Sequence, residues 1–297
     1  MVSVAIILGF PLVYGLNHTK PLKLPSTFDP SGTISALSLD NGGIIATLGK
    51  LDYSYQNIVN GKKYFGGKGD VYSRELYFNS SDEAYTYDGA TNLVRVQRIN
   101  SEIQVKDLFS APGHFLFDIS VGKTGVYVSS LTQQDPNNAT SAVWKFTNGN
   151  FSKLHDIPGT LHRITLSPNE TSLYGIVKTS NKERSIISLP LGNSTSLPQT
   201  VVTTHDEFKS GLSSIECDNQ GNLYVANYDE NINVYGPDHR FKYNISTTLV
   251  LRAMVISNTS SQTLYVGGQT EASNRNESGI EYLELNPSHE RLHKPTK

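Results

Sequence analysis

The sequence predicts an all-β fold, a six-bladed β-propeller with four antiparallel strands per blade. Three observations carry that prediction. A hairpin of similar composition recurs along the whole chain, period-two alternation of apolar residues runs through it, and polar turn residues interrupt it at short, regular intervals. The composition agrees: charged residues make up only 18% of the chain, and Gly, Asn, Ser and Thr suit short strands and tight turns better than helices.

The hairpins can be taken in order. Leu37–Leu39 and Ile44–Ala46 flank the turn Asp40-Asn41-Gly42-Gly43, and Leu76–Phe78 and Ala84–Tyr87 flank Ser80–Glu83. Phe115–Ile119 and Val126–Val128 flank Lys123-Thr124-Gly125, and Ile164–Leu166 and Leu173-Tyr174 flank Pro168–Thr171. Ile215–Cys217 and Leu223–Val225 flank Asp218–Gly221, and Met254–Ile256 and Leu264–Val266 flank Asn258–Gln262. The anchors Ile45, Tyr85, Tyr127, Tyr174, Tyr224 and Tyr265 lie between 40 and 50 residues apart.

A third strand follows most pairs, at Leu93–Ile99, Ala142–Phe146, Ser185–Leu189, Ile232–Tyr235 and Ile280–Leu283. A fourth follows at Glu102–Leu108 and Gln199–Thr203. Four strands in a unit of this length make a propeller blade. Lys20–Leu24 is expected to supply the outermost strand of the last blade and so to latch the ring.

The ends and the surface point to a secretory route. Val2–Leu16 is almost wholly apolar and short for a bilayer span, and Val13-Tyr14-Gly15 offers a small residue at a cleavage position. Residues 1–15 are expected to be a signal peptide and 16–297 a single domain; a buried N-terminal strand is the alternative. Sequons for N-glycosylation occur at Asn17, Asn79, Asn138, Asn150, Asn169, Asn193, Asn244, Asn258 and Asn276. Those in turns between strands one and two or three and four should crowd the closed face. The expected location is outside the cell or in the secretory lumen. The chain has one cysteine, Cys217, so closure of a ring and not a disulfide must hold the domain. With 25 Lys and Arg against 27 Asp and Glu, no global field favours nucleic acid or an anionic membrane as partner.

Asp218-Asn219-Gln220-Gly221-Asn222-Leu223-Tyr224-Val225-Ala226-Asn227 closely resembles the blade signature of the SMP-30/gluconolactonase and NHL propellers. Leu166-Ser167-Pro168-Asn169-Glu170-Thr171-Ser172-Leu173-Tyr174 resembles the Ser-Pro-Asp turn of the same superfamily. The resemblance covers two blades by motif and the others by pattern, and it implies a lactonase-type scaffold. In the metal-dependent lactonases a divalent cation is held by a Glu near the N-terminus, an Asn before the Ser-Pro-Asp turn and an Asp before the Asp-x-x-Gly-Asn turn. Here the Asn position falls on His162, the Asp position falls on Ser213, and Ser31–Leu39 contains no Glu. A hard cation needs several oxygen ligands, so no metal and no other cofactor is expected. Strictosidine synthase-like members and fungal cyclases of the superfamily work without that triad.

Propeller ligands bind at the channel mouth, where residues about 12 before each anchor should lie, given the blade geometry. These include Thr33, Ser73, Arg74, His114, His162, Ser213 and Arg252. His114 and His162 are the candidates for acid–base catalysis, and Arg74, Ser213 and Arg252 for ligand binding. Polar residues at such positions also commonly satisfy backbone groups around a wet channel. Gly61–Gly69 misses the phosphate-loop pattern, and Asp229-Glu230 is a hairpin tip near the mouth. Two functions follow: a metal-independent enzyme or binder acting on a small molecule in the channel, or a non-catalytic propeller meeting a protein or carbohydrate partner through its long loops. Neither involves nucleic acid or a membrane span.

Overall fold

The computed structural model describes residues 17–23, 33–40, 43–49, 54–57, 63–65, 77–80, 83–87, 91–99, 102–111, 113–132, 140–179, 184–192, 197–204, 212–228, 230–257, 262–270 and 278–285. Every regular element among them is a strand. Two short strands come first, β1 (Asn17–His18) and β2 (Lys20–Pro21). The first sheet is then β3 (Thr33–Asp40), β4 (Gly43–Gly49), β5 (Ser54–Asn57) and β6 (Lys63–Phe65), in that order. The second is β7 (Tyr77–Ser80), β8 (Glu83–Tyr87), β9 (Asn92–Ile99) and β10 (Glu102–Ser110). The third is β11 (His114–Gly122), β12 (Gly125–Thr132), β13 (Thr140–Thr147) and β14 (Asn150–Pro158). The fourth is β15 (Thr160–Leu166), β16 (Ser172–Lys178), β17 (Arg184–Pro190) and β18 (Gln199–Thr204).

The last two sheets borrow from the chain's beginning. The fifth is β19 (Leu212–Cys217), β20 (Leu223–Asn227), β21 (Asn231–Tyr235) and β22 (Phe241–Ser246), with β1 added in parallel on its outer edge. The sixth is β23 (Leu249–Ile256), β24 (Gln262–Thr270) and β25 (Ser278–Leu285), completed by β2. Each expected strand pair is an antiparallel hairpin, and the expected latch is present. Its strand pairing covers Lys20–Pro21, and one further bond runs from Leu22 N to Ile280 O at 2.8 Å; Leu24 lies outside the described residues. The parallel addition of β1 was not legible, because two polar residues carry no strand signal.

Alternation explains why these segments pair. Leu173, Leu189, Leu223, Val234, Ile245 and Leu264 are fully buried, while their neighbours along each strand are more exposed or face the next sheet. The apolar faces pack sheet against sheet. Tyr85, Leu93, Ile119 and Val126 join the second sheet to the third, and Tyr127, Val143, Leu161 and Leu173 join the third to the fourth. Ile176, Ile186, Ile215 and Leu223 join the fourth to the fifth. Tyr224, Val234, Leu251 and Leu264 join the fifth to the sixth, and Ala253 and Ile280 meet Leu37 of the first. The first strands β3, β7, β11, β15, β19 and β23 lie side by side in turn, and β3 lies beside β23. The hairpin between β13 and β14 turns on Asn148 (φ 51°) and Gly149 (φ 81°), the two positive values that a two-residue turn of this hand requires.

Candidate functional site

One irregularity recurs near the start of the innermost strands. The pairing register shifts between Ile34 and Ala36, Leu116 and Asp118, Leu161 and Arg163, Leu212 and Ser214, and Leu251 and Ala253. Each shift leaves one unpaired residue: Ser35, Phe117, His162, Ser213 and Arg252 respectively. A bulge of this kind bends the strand and aims the extra side chain away from the ladder. Three residues expected at the channel mouth, His162, Ser213 and Arg252, therefore occupy equivalent positions on the fourth, fifth and sixth sheets. On the third sheet that position belongs to Phe117 and not to His114.

His162 packs edge-on against the ring of Phe117, centroids 5.6 Å apart at 82°. Burial, then the charges of Arg184, Lys178 and Arg163, push its pKa down to about 4. The imidazole is therefore neutral at physiological pH and sits among three cations. Ser213 is buried, and its Oγ donates to the carbonyls of Ala226 at 3.3 Å and Asn227 at 3.4 Å. The Arg252 guanidinium lies over the half-exposed ring of Tyr228, 5.2 Å from its centroid. Among the described residues its Nε is buried without a hydrogen-bond partner, as is Asn227 Oδ1.

His114 stands elsewhere. Its Nδ1 lies 3.2 Å from Ser130 Oγ, and its ring meets Trp144 edge-on at 5.6 Å, both within the third sheet. Burial, then Lys153, lowers its pKa. Its contacts and those of His162 are separate. Arg74 and Asp229 lie outside the described residues. Glu230 stands between β20 and β21, where its carbonyl accepts from Thr247 N at 3.0 Å.

Below the rim a cavity of about 40 Å³ is lined by Leu37, Tyr77, Asp118, Arg163, Ile215 and Glu216 with their neighbours. Asp118, only 3% exposed, ties three sheets together. It accepts from Tyr77 OH of the second sheet and, at 2.7 Å, from Ile164 N of the fourth, and pairs with Arg163 Nη1 at 3.6 Å. Arg163 Nε donates to Ser213 O at 3.3 Å, and Thr165 Oγ1 donates to Glu216 Oε2 at 3.4 Å. These channel residues were missed in the sequence, although each directly follows or lies within two to three residues of a bulge. Cys217 is inert: burial, then Asp218 and Glu216, push its thiol up to about 12.

No protein-family model matches the sequence, and no curated protein sequence matches it. Among solved structures, the chain is similar to a calcium-binding protein, regucalcin, from Agrobacterium tumefaciens C58. Their TM-score is 0.67 at 14% identity, over 90% of this chain and 95% of that one. It is also similar to a gluconolactonase from Xanthomonas campestris, with a TM-score of 0.65 at 11% identity over 92% and 99% of the two chains. At such identities the likeness is one of fold. The chain has the all-β propeller fold of these two structures, as the two blade motifs implied.

The cation of the metal-dependent lactonases does not fit the residues here. At two of its three ligand positions stand an imidazole surrounded by cationic side chains and a hydroxyl whose proton is committed to backbone carbonyls. A hard cation would find no carboxylate at those two positions. No cluster of three or more His, Cys, Asp or Glu side chains suited to a metal occurs among the described residues.

Proposed function

We propose that the chain is a secreted, N-glycosylated, six-bladed β-propeller that holds a small anionic molecule at its channel mouth without a metal ion. Residues 16–297 form the ring behind a signal peptide of residues 1–15. The observation that carries the ligand site is the shared bulge of the fourth, fifth and sixth sheets. The equivalent bulge positions of His162, Ser213 and Arg252 support a common rim, with Arg163, Lys178 and Arg184 close enough to His162 to depress its pKa. A neutral imidazole can donate one hydrogen bond and accept another, and guanidinium groups bind carboxylate or phosphate through paired donors. A base of pKa about 4 gives up much of its driving force at neutral pH, so the rim is better suited to holding an anion than to removing a proton.

The regucalcin and gluconolactonase likeness supports placing the ligand among sugar acids and lactones, with hydrolysis as the activity to test first. The secretory reading draws support from the apolar start of the chain and from the exposure of Asn150, Asn169 and Asn244. Asn150 and Asn169 lie at the ends of their sheets away from the bulges of β11 and β15, which supports a mouth barer of glycan. No helix among the described residues is long and apolar enough to cross a membrane. The alternative, a non-catalytic propeller that meets a protein or carbohydrate through long loops, depends on residues 133–139 and 271–277, which lie outside the described residues.

A thermal-shift and hydrolysis screen of sugar acids, phosphates, lactones and neutral sugars tests the ligand class. Anions are expected to raise Tm, and His162→Ala or Arg252→Met should each weaken binding by about tenfold or more, the value of a lost charge-assisted contact. Binding should stay level between about pH 5 and 8, because His162 titrates below that window. A chelator should change neither binding nor any turnover. Preference for neutral sugars, or loss of function on chelation, would overturn the proposal.

A further inference from the structure

The turn between β15 and β16 holds a sequon whose geometry differs from that of the other exposed ones. Asn169 Oδ1 accepts from Ser167 Oγ at 2.9 Å, Thr171 N at 3.3 Å and Thr171 Oγ1 at 2.8 Å. Asn169 and Thr171 are both exposed, and Asn169 Nδ2 makes no hydrogen bond among the described residues. The carboxamide is thus fixed by its oxygen and presents its nitrogen to solvent. The side chain required at the third position of the sequon is already beside the acceptor amide.

The bent shape is held from the neighbouring sheet as well. Glu170, in the left-handed region at φ 53°, accepts from Lys123 N at 2.6 Å, Thr124 N at 2.9 Å and Thr124 Oγ1 at 2.7 Å. Both flanking residues therefore point outward while the middle one points in. Asn150 and Asn244 lie instead in extended strands, and the middle residue of each sequon is apolar and packed. Phe151 stacks on Phe109 at 3.8 Å, and Ile245 is 0% exposed in the core between the fifth and sixth sheets. Bending either sequon into a transferase would require stripping an outer strand from its sheet.

We propose that Asn169 accepts an N-linked glycan after the chain has folded, whereas Asn150 and Asn244 accept one only before their strands pair. In the transfer, Asn169 Nδ2 attacks the anomeric carbon of a lipid-pyrophosphate-linked oligosaccharide. The N–C bond forms, and the bond from that carbon to the phosphate oxygen breaks. The lipid pyrophosphate leaves with the electron pair, and the amide gives up one proton to a base of the transferase. This inference rests on the secretory route proposed above, which supplies the donor.

The test uses full-length folded protein, made without glycans, incubated with an oligosaccharyltransferase and a lipid-linked oligosaccharide. Sites are then mapped by mass spectrometry after enzymatic release in heavy-oxygen water. The expected result is modification of Asn169 with Asn150 and Asn244 empty, while short peptides spanning Asn150 and Asn244 are modified. Thr171→Ala should abolish modification at Asn169, and Thr171→Ser should restore it. An empty Asn169 in the folded protein would overturn the proposal, as would equal modification of Asn150 or Asn244. Expression in a secretory host reads the routing separately: protein left unglycosylated in cells but modified at Asn169 in vitro would refute secretion and leave the competence of the turn standing.

Discussion

The carboxylate of Glu281 is buried among hydroxyls. It accepts from Thr19 Oγ1, from Thr248 Oγ1 and from Thr248 N at 3.3 Å, and its residue is 3% exposed. Burial alone would raise its pKa, but the hydroxyls of Thr19, Thr248 and Thr247 and the Thr248 amide outweigh it and hold the pKa below the ordinary value. A depressed carboxylate stabilises the fold above its unfolded pKa, and that contribution is lost as pH falls through the folded value. Unfolding curves taken from neutral to acid pH should therefore show weakening below the ordinary glutamate range of about 4.3. Glu281→Gln should lower stability at neutral pH by about 2 kcal/mol, the worth of charge-assisted hydrogen bonds, and should flatten that part of the acid limb. An unchanged acid limb in the variant would assign the sensitivity to other groups.

At the scale of the element, the bulges decide both what the strands can do and what could be foreseen. Counting back from the tyrosine anchors located His162, Ser213 and Arg252, because the spacing from bulge to anchor is nearly constant in those three sheets. Alternation could not locate Asp118, Arg163 and Glu216. One extra residue reverses the phase of a strand, so side chains counted as facing one way face the other. His114 was placed at the mouth by the same count, yet the bulge on its strand falls three residues later, at Phe117. The hairpins themselves were legible, since their alternation and turn residues act locally. Tight hairpins also leave little room for side chains. A Cβ at Gly268 would clash with the carbonyl oxygen of Val250 on the partner strand. Gly268→Ala should therefore disrupt the pairing of β23 with β24 and cost about 3 kcal/mol, the upper range for overpacking. A Tm unchanged from the parent protein would show that the two strands can separate without loss.

For the whole molecule, the N-terminal segment joins two sheets at once. Thr19 lies between β1 on the fifth sheet and β2 on the sixth, bonds to Ser246 O at 3.2 Å through its amide, and reaches Glu281 through its hydroxyl. Leu22 packs with Leu37, Ala253 and Ile280 where the sixth sheet meets the first. Deleting residues 17–22 should expose the outer edges of β22 and β25, which are templates for pairing between chains. The shortened protein is expected to unfold at lower temperature and to self-associate, measured by calorimetry and light scattering. A monomer with the parent Tm would show that the latch is dispensable.

The latch also imposes an order in time. Thr19 and Glu281 are 262 residues apart in the chain, so β2 must wait for a strand made long after it. Until β25 emerges, β2 has no partner strand, while the inner hairpins can form as they appear. Pairing across such a separation is slow in entropy-limited folding. Completion of the sixth sheet thus follows that of the other sheets, and a nascent chain halted short of β25 would carry β2 without its partner strand.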